Sequence, residues 1–166
     1  MNPTSIANGV ILAENDAILR GVMRAVLSRA EQLVFPASDG IEAVMLARRF
    51  TARLVLLDIS MPRLNGLLAC EAIRLLPGYG RVPIVLLSGS ADEALRLAAR
   101  RIGAKDVISK PFLPGALLSR LAPYLSLPSR GSPVPATVSG QALALTGHAE
   151  VWGPGAARAS LAGVRQ

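Results

Sequence analysis

The stretch VILAENDAILR, Val10–Arg20, sets an apolar run against three polar residues, Glu14-Asn15-Asp16, and then begins an amphipathic pattern. Val10 to Ala13, without a charge, reads as a strand covered on both faces. From Ala17 on, Leu19, Val22, Met23, Val26 and Leu27 recur at three- and four-residue steps while Arg20, Arg24 and Ser28 turn outward, which predicts a helix over 17–31. A strand feeding a helix is one βα unit.

The rest of the chain repeats the unit. Further apolar runs fall at Leu33 to Ala37, Leu54 to Leu57, Ile84 to Leu87 and Val107 to Ile108, separated by helix candidates at 40–50, 65–76, 92–102 and 114–124. Alternation of this kind predicts an α/β fold around a parallel sheet. Asp92 is placed to cap the helix that follows it and Gly103 to end it. Pro83, Pro111 and Pro114 lie at element edges, where proline is tolerated.

Composition bounds the function. With 166 residues, 51% of them apolar, the chain can bury a real core. No run reaches the roughly 18 apolar residues of a membrane span, and residues 1–8, read as an N-terminal extension, lack the pattern of a signal peptide. A cytoplasmic protein without membrane attachment is expected. The single cysteine, Cys70, excludes an internal disulfide and reads as a buried, inert thiol. The net charge of +7 rests on scattered arginines, so nucleic-acid binding receives little weight. From Pro128 the sequence turns rich in Pro, Gly, Ser and Ala, and 128–166 is expected to be a flexible low-complexity tail, with a short helix near Ala156 to Ala162 on docking. The one histidine, His148, falls in this tail, so no histidine phosphodonor domain is expected.

In open parallel sheets the working site lies beyond the carboxyl ends of the strands. The first strand ends in Glu14, Asn15 and Asp16, the third in Asp58, the fourth in Ser88 and the fifth in Lys110. Oxygen donors suit Mg²⁺, a carboxylate can attack phosphorus, and an ammonium and a hydroxyl can neutralise or bond phosphoryl oxygens. Such a set suits a site that binds a divalent cation and a phosphoryl group together.

The segments ILAEND, LVLLDISMPRLNG, PIVLLSGS and GAKDVISKPF, spread over Val10 to Tyr124, resemble the receiver domain of two-component response regulators. The resemblance implies a doubly wound, flavodoxin-like sheet of five parallel strands in the order 2-1-3-4-5, flanked by five helices, over residues 9–127. It implies a signalling phosphoacceptor, with no enzymatic activity beyond its own phosphorylation and dephosphorylation, acting by phosphorylation-dependent protein binding. Asp58 would take phosphate from a histidine kinase or histidine phosphotransfer protein, assisted by Lys110 and Ser88. Mg²⁺ or Mn²⁺ would be held by Glu14, Asn15, Asp58 and the backbone carbonyl of Ser60. The phosphodonor is expected to dock near Ile18, Leu19 or Met23 and at Pro111 and Phe112. Ser88 and position 107 would form the output switch, and the face of the fourth helix, fifth strand and fifth helix, with Arg96, Arg100 and Arg101, is a candidate for output and homodimerisation. With no effector domain recognised after 128, a stand-alone regulator is expected.

Two departures from the family pattern stand out. Two acids usually close the first strand, and a helix anchor follows four positions after the second. Counting from Asn15 gives Leu19 as anchor, with Met23 and Leu27 on the same face, whereas counting from Asp16 gives Arg20. Asn15 therefore fills the second acid's place, which predicts weaker metal binding, and Asp16 is left to cap the helix. Val107 stands where an aromatic is common, and Gly89 where alanine is. These departures support an alternative, a pseudo-receiver that binds partners constitutively.

Overall fold

The computed structural model describes residues 9–90 and 92–125. The N-terminal extension, the tail from 128 with the short helix expected in it, and His148 lie outside the described residues. Five parallel strands, β1 (Gly9–Ala13), β2 (Leu33–Ala37), β3 (Leu54–Asp58), β4 (Ile84–Ser88) and β5 (Asp106–Ser109), form one sheet in the order β2-β1-β3-β4-β5. The connecting helices are α1 (Ala17–Arg29), α2 (Gly40–Arg49), α3 (Gly66–Arg74), α4 (Glu93–Arg101) and α5 (Pro114–Leu125), with one 3₁₀ turn at Tyr79–Arg81. This is the doubly wound topology expected.

The period of two along each strand divides the core into two layers. Val10, Leu12, Leu54, Leu56, Val85, Leu87 and Ile108 pack against Met23 and Leu27 of α1 and Leu117 and Leu121 of α5. The alternate residues Ile11, Val55, Leu57, Ile84, Leu86 and Val107 pack on the other face against Ala43, Ala69, Cys70, Ile73 and Ala99 of α2 to α4. Burying apolar area on both faces of three adjacent strands is the main stabilising term, at about 25 cal/mol per Å².

Each of the first four helices starts on an acid or amide whose side chain accepts from the free N–H groups of the first turn. Asp16 accepts from Ile18 (2.8 Å) and Leu19 (3.0 Å), Asp39 from Glu42 (3.0 Å), Asn65 from Leu68 (2.9 Å) and Asp92 from Leu95 (2.8 Å). Asp16 is thus a cap, as its position relative to the helix pattern implies.

Three sequence expectations need correction. β2 is not covered on both faces: it is an edge strand, Leu33 is 58% exposed, and Pro36 is tolerated there because an edge strand has ladder sites to spare. Val22 is 46% exposed, so the buried stripe of α1 narrows to Met23 and Leu27 with Leu19 half-buried. Arg20 does not turn outward; its guanidinium folds back under the β1–α1 turn and donates to the Glu14 and Asn15 carbonyls.

Candidate functional site

The alternation that builds the core also aims the polar residues. Glu14 follows Val10 and Leu12, Asp58 follows Leu54 and Leu56, and Lys110 follows Ile108, each two positions on, so all three share the parity of the α1/α5 side. Register completes the alignment: Ala13 pairs with Leu57, Asp58 with Leu87 and Ser88 with Ser109, and the Lys110 N–H extends the ladder to the Ser88 carbonyl (2.7 Å). Glu14 and Asp58 therefore stand on neighbouring strands. Lys110 follows β5, two strands from Asp58 and three from Glu14, and its extended stem carries the ammonium back to both.

Glu14 and Asp58 are 1% and 3% exposed, and the Lys110 ammonium lies between them, donating to Glu14 Oε2 (2.6 Å) and Asp58 Oδ1 (3.0 Å). Burial alone would lower the lysine pKa, but the hydrogen bonds it donates to Glu14 and then Asp58, with their charges, outweigh it and the pKa is raised. The ammonium is fully protonated at neutral pH.

The other carboxylate oxygens meet Asn15. Its carboxamide faces only acceptors on the inner side, and turned nitrogen inward it donates to Asp58 Oδ2 (3.1 Å), Glu14 Oε1 (3.2 Å) and the Ser60 carbonyl (3.2 Å). The Asp16 N–H also donates to Glu14 Oε1 (3.1 Å). Three hard oxygen donors from β1, β3 and the β3–α3 loop thus surround a single point, and that donor chemistry fits a cation such as Mg²⁺. Among the described residues no three acidic, histidine or cysteine side chains gather, so the crevice offers two carboxylates and one carbonyl.

The loop after Asp58 is held by its own backbone. Met61 N–H and Gly66 N–H both donate to the Ile59 carbonyl (3.1 Å each), and Met61 is buried. Arg63, in the left-handed region at φ 62°, ion-pairs with buried Asp39 at the start of α2. These ties fix where the Ser60 carbonyl points. Lys110 precedes a cis peptide bond to Pro111.

Glu14, Asn15, Asp58, the Ser60 carbonyl and Lys110 therefore come together, whereas the other expected residues surround them. The buried Ser88 hydroxyl turns onto its own loop, donating to the Ser90 carbonyl and accepting from the Ser90 N–H (3.2 Å). Val107 is buried, and Arg96 of α4 donates to its carbonyl (3.3 Å). Ile18 is 80% exposed and Pro111 exposed, while Leu19 and Phe112 are half-buried against the α1/α5 layer. Met23 is wholly buried and offers no surface, because its place on α1 puts it in the core layer that also holds Leu12 and Leu56. Burial pushes the Cys70 thiol up to about 11, in keeping with an inert thiol. Arg20 is the site-supporting residue the sequence reading misplaced; its signal was a cation six residues after Glu14.

The family model for the response regulator receiver domain matches residues 10–122. The chain is similar to the transcriptional regulatory protein GltR of Pseudomonas aeruginosa, 34% identical over 121 residues that cover 72% of this chain and 50% of that protein. It is also similar to the aerobic respiration control protein ArcA of Escherichia coli, 30% identical over 117 residues that cover 70% of this chain and 48% of ArcA. The chain thus spans about half the length of these curated relatives. Among solved structures, the Vibrio cholerae chemotaxis protein CheY4 aligns at 27% identity with a TM-score of 0.67, covering 71% of this chain and 99% of that one. The receiver domain of a Pseudomonas aeruginosa sensor histidine kinase, solved with a magnesium ion in its active-site cleft, aligns at 31% identity with a TM-score of 0.64, covering 72% and 98%.

Proposed function

Because the chain belongs to the response regulator receiver family, we propose that it accepts a phosphoryl group on Asp58 from a phosphohistidine donor and signals through phosphorylation-dependent protein binding. The observation that carries this reading is the Lys110 ammonium bonded at once to Glu14 (2.6 Å) and Asp58 (3.0 Å) at the carboxyl ends of β1, β3 and β5. In the transfer an Asp58 carboxylate oxygen attacks phosphorus, the P–N bond of the phosphohistidine breaks, and the imidazole leaves as it takes up a proton. An acyl phosphate remains. Water then returns the carboxylate and inorganic phosphate.

Phosphoryl transfer needs alignment and charge neutralisation more than covalent help. Lys110 is positioned to stabilise the oxygens of the incoming group, and the Ser88 hydroxyl can exchange its bond to Ser90 for one to a phosphoryl oxygen. Glu14, Asp58 and the Ser60 carbonyl would hold Mg²⁺, joined by Asn15 Oδ1 if the amide turns; bound there, the cation neutralises phosphoryl charge. Exposed Ile18 and Pro111, bordering half-buried Leu19 and Phe112, form the surface on which a histidine kinase or phosphotransfer protein would dock. The test is labelling with acetyl phosphate or a phosphohistidine donor in excess Mg²⁺. Wild type should take up a base-labile label and Asp58→Asn none.

The inward Asn15 amide and the buried Val107 favour a second reading, a constitutive binding module. A folded wild type that stays unlabelled in excess Mg²⁺ selects it.

A further inference from the structure

We infer that the Asn15 amide is a built-in stand-in for the cation: it holds the crevice together in a metal-free resting form, and a metal ion must displace it to bind. Turned to satisfy the acceptors around it, the amide places its nitrogen 3.1–3.2 Å from Asp58 Oδ2, Glu14 Oε1 and the Ser60 carbonyl, which are the oxygens a cation would need. An amide nitrogen carries two hydrogens, so two protons are shared among three acceptors. The amide supplies partial positive charge where a cation would supply full charge.

The rest of the site explains why such a stand-in matters. Two nearly buried carboxylates face each other across neighbouring strands, and a single ammonium, Lys110, bonds Glu14 Oε2 and Asp58 Oδ1. Glu14 Oε1 also accepts from the Asp16 N–H (3.1 Å), so the amide matters most at Asp58 Oδ2, and burial makes an unmet charge costly. With aspartate at 15 the metal-free crevice would hold three carboxylates against one ammonium. With asparagine, nitrogen inward, it is hydrogen-bonded without a metal.

The amide is also a two-position element. Nitrogen inward satisfies the three oxygens; oxygen inward sets a carbonyl against two carboxylates and another carbonyl, and is favourable only with a cation among them. Binding therefore breaks three hydrogen bonds before any metal bond is counted. Asn15 should act chiefly as a competitor, not as a ligand, and water can fill its place on Mg²⁺. The metal half of this inference rests on reading the crevice as a cation site; the metal-free half does not.

The test uses the full chain and three forms, wild type, Asn15→Asp and Asn15→Ala, in EDTA and in MgCl₂ at matched ionic strength. In EDTA both variants should melt lower than wild type, Asn15→Asp by roughly 4 °C or more. In ¹⁵N-labelled wild type the Asn15 side-chain amide protons should be protected in EDTA and shift on MgCl₂ titration. Asn15→Asp should bind Mg²⁺ about tenfold more tightly than wild type, and Asn15→Ala at least as tightly as wild type. Weaker binding by Asn15→Ala makes Asn15 an ordinary ligand and overturns the inference, as do unchanged melting in EDTA or freely exchanging amide protons. Asp58 labelling is scored separately: label without this Asn15 pattern removes the inference alone, and the pattern without label removes phosphoacceptance alone.

Discussion

A methyl group at position 66 has nowhere to go: a Cβ built there would lie 2.3 Å from the Asp58 carbonyl oxygen. Gly66 opens α3 with its N–H bonded to the Ile59 carbonyl (3.1 Å), so the helix start presses directly on the strand that carries Asp58. Backbone, unlike a side-chain tip, cannot yield cheaply. Gly66→Ala should cost about 1–3 kcal/mol in urea unfolding. It should also lower labelling of Asp58 beyond what lost stability explains. Gly89→Ala is the control, since a Cβ there meets nothing within 4 Å, and an equal loss in both variants would show that the crowding at 66 is not what matters.

At the scale of elements, Arg74 fastens three of them. From the end of α3 it donates to the Tyr79 carbonyl in the 3₁₀ turn, to Val82 before β4 (2.9 Å) and to Gly103 after α4 (2.6 Å). Gly103 sits at φ 90°, a left-handed conformation that turns its carbonyl to the guanidinium and favours glycine. Arg74→Met keeps the apolar stem and removes the donors, and should cost about 1–3 kcal/mol. Amide exchange should quicken at the 3₁₀ turn and the α4–β5 connection, and not in β1. The element pattern itself was legible, because strands and helices announce themselves by period and by Asp16 and Asp92 as caps. β5 was read too short: its ends, Asp106 and Ser109, are polar, and Asp106 is neutralised by Arg120 (2.7 Å), a partner no local pattern shows. Arg20 and Arg74 escaped for a related reason, since their targets are backbone carbonyls, which leave no trace in sequence. Asn15 was legible as a departure in the acid pair. The direction of its amide was not, because three acceptors from two strand ends and a loop decide it.

For the molecule as a whole, pH reads out the buried groups. Burial raises Tyr79 to about 12, and its hydroxyl donates to the Phe50 carbonyl (2.8 Å) and accepts from the Ala52 N–H (3.1 Å). Lys110 is raised as well, burial being outweighed by Glu14 and Asp58. Both shifts have one sign. Stability from a raised pKa is complete below the unfolded value, near 10 for tyrosine and about 10.4 for lysine, and is lost as pH climbs toward the folded one. Thermal unfolding across pH should therefore hold level on approach to about pH 10 from neutrality and decline through 10–12. Ultraviolet titration of the folded chain should find one tyrosinate that forms only near the upper end; if both tyrosines ionise at the unfolded value, Tyr79 is not held as described.

The shared parity of Glu14, Asp58 and Lys110 has a consequence for inheritance. Each lies two residues beyond a core residue, Leu12, Leu56 or Ile108, so gaining or losing one codon between the two would swing the side chain to the opposite face of the sheet. Frame-preserving indels that loops would tolerate are thus closed to these three strand ends. Lineages can revise the crevice only by substitution, and position 15, two steps past the strand on the exposed turn, is where a single base change can trade a carboxylate for an amide without disturbing the core.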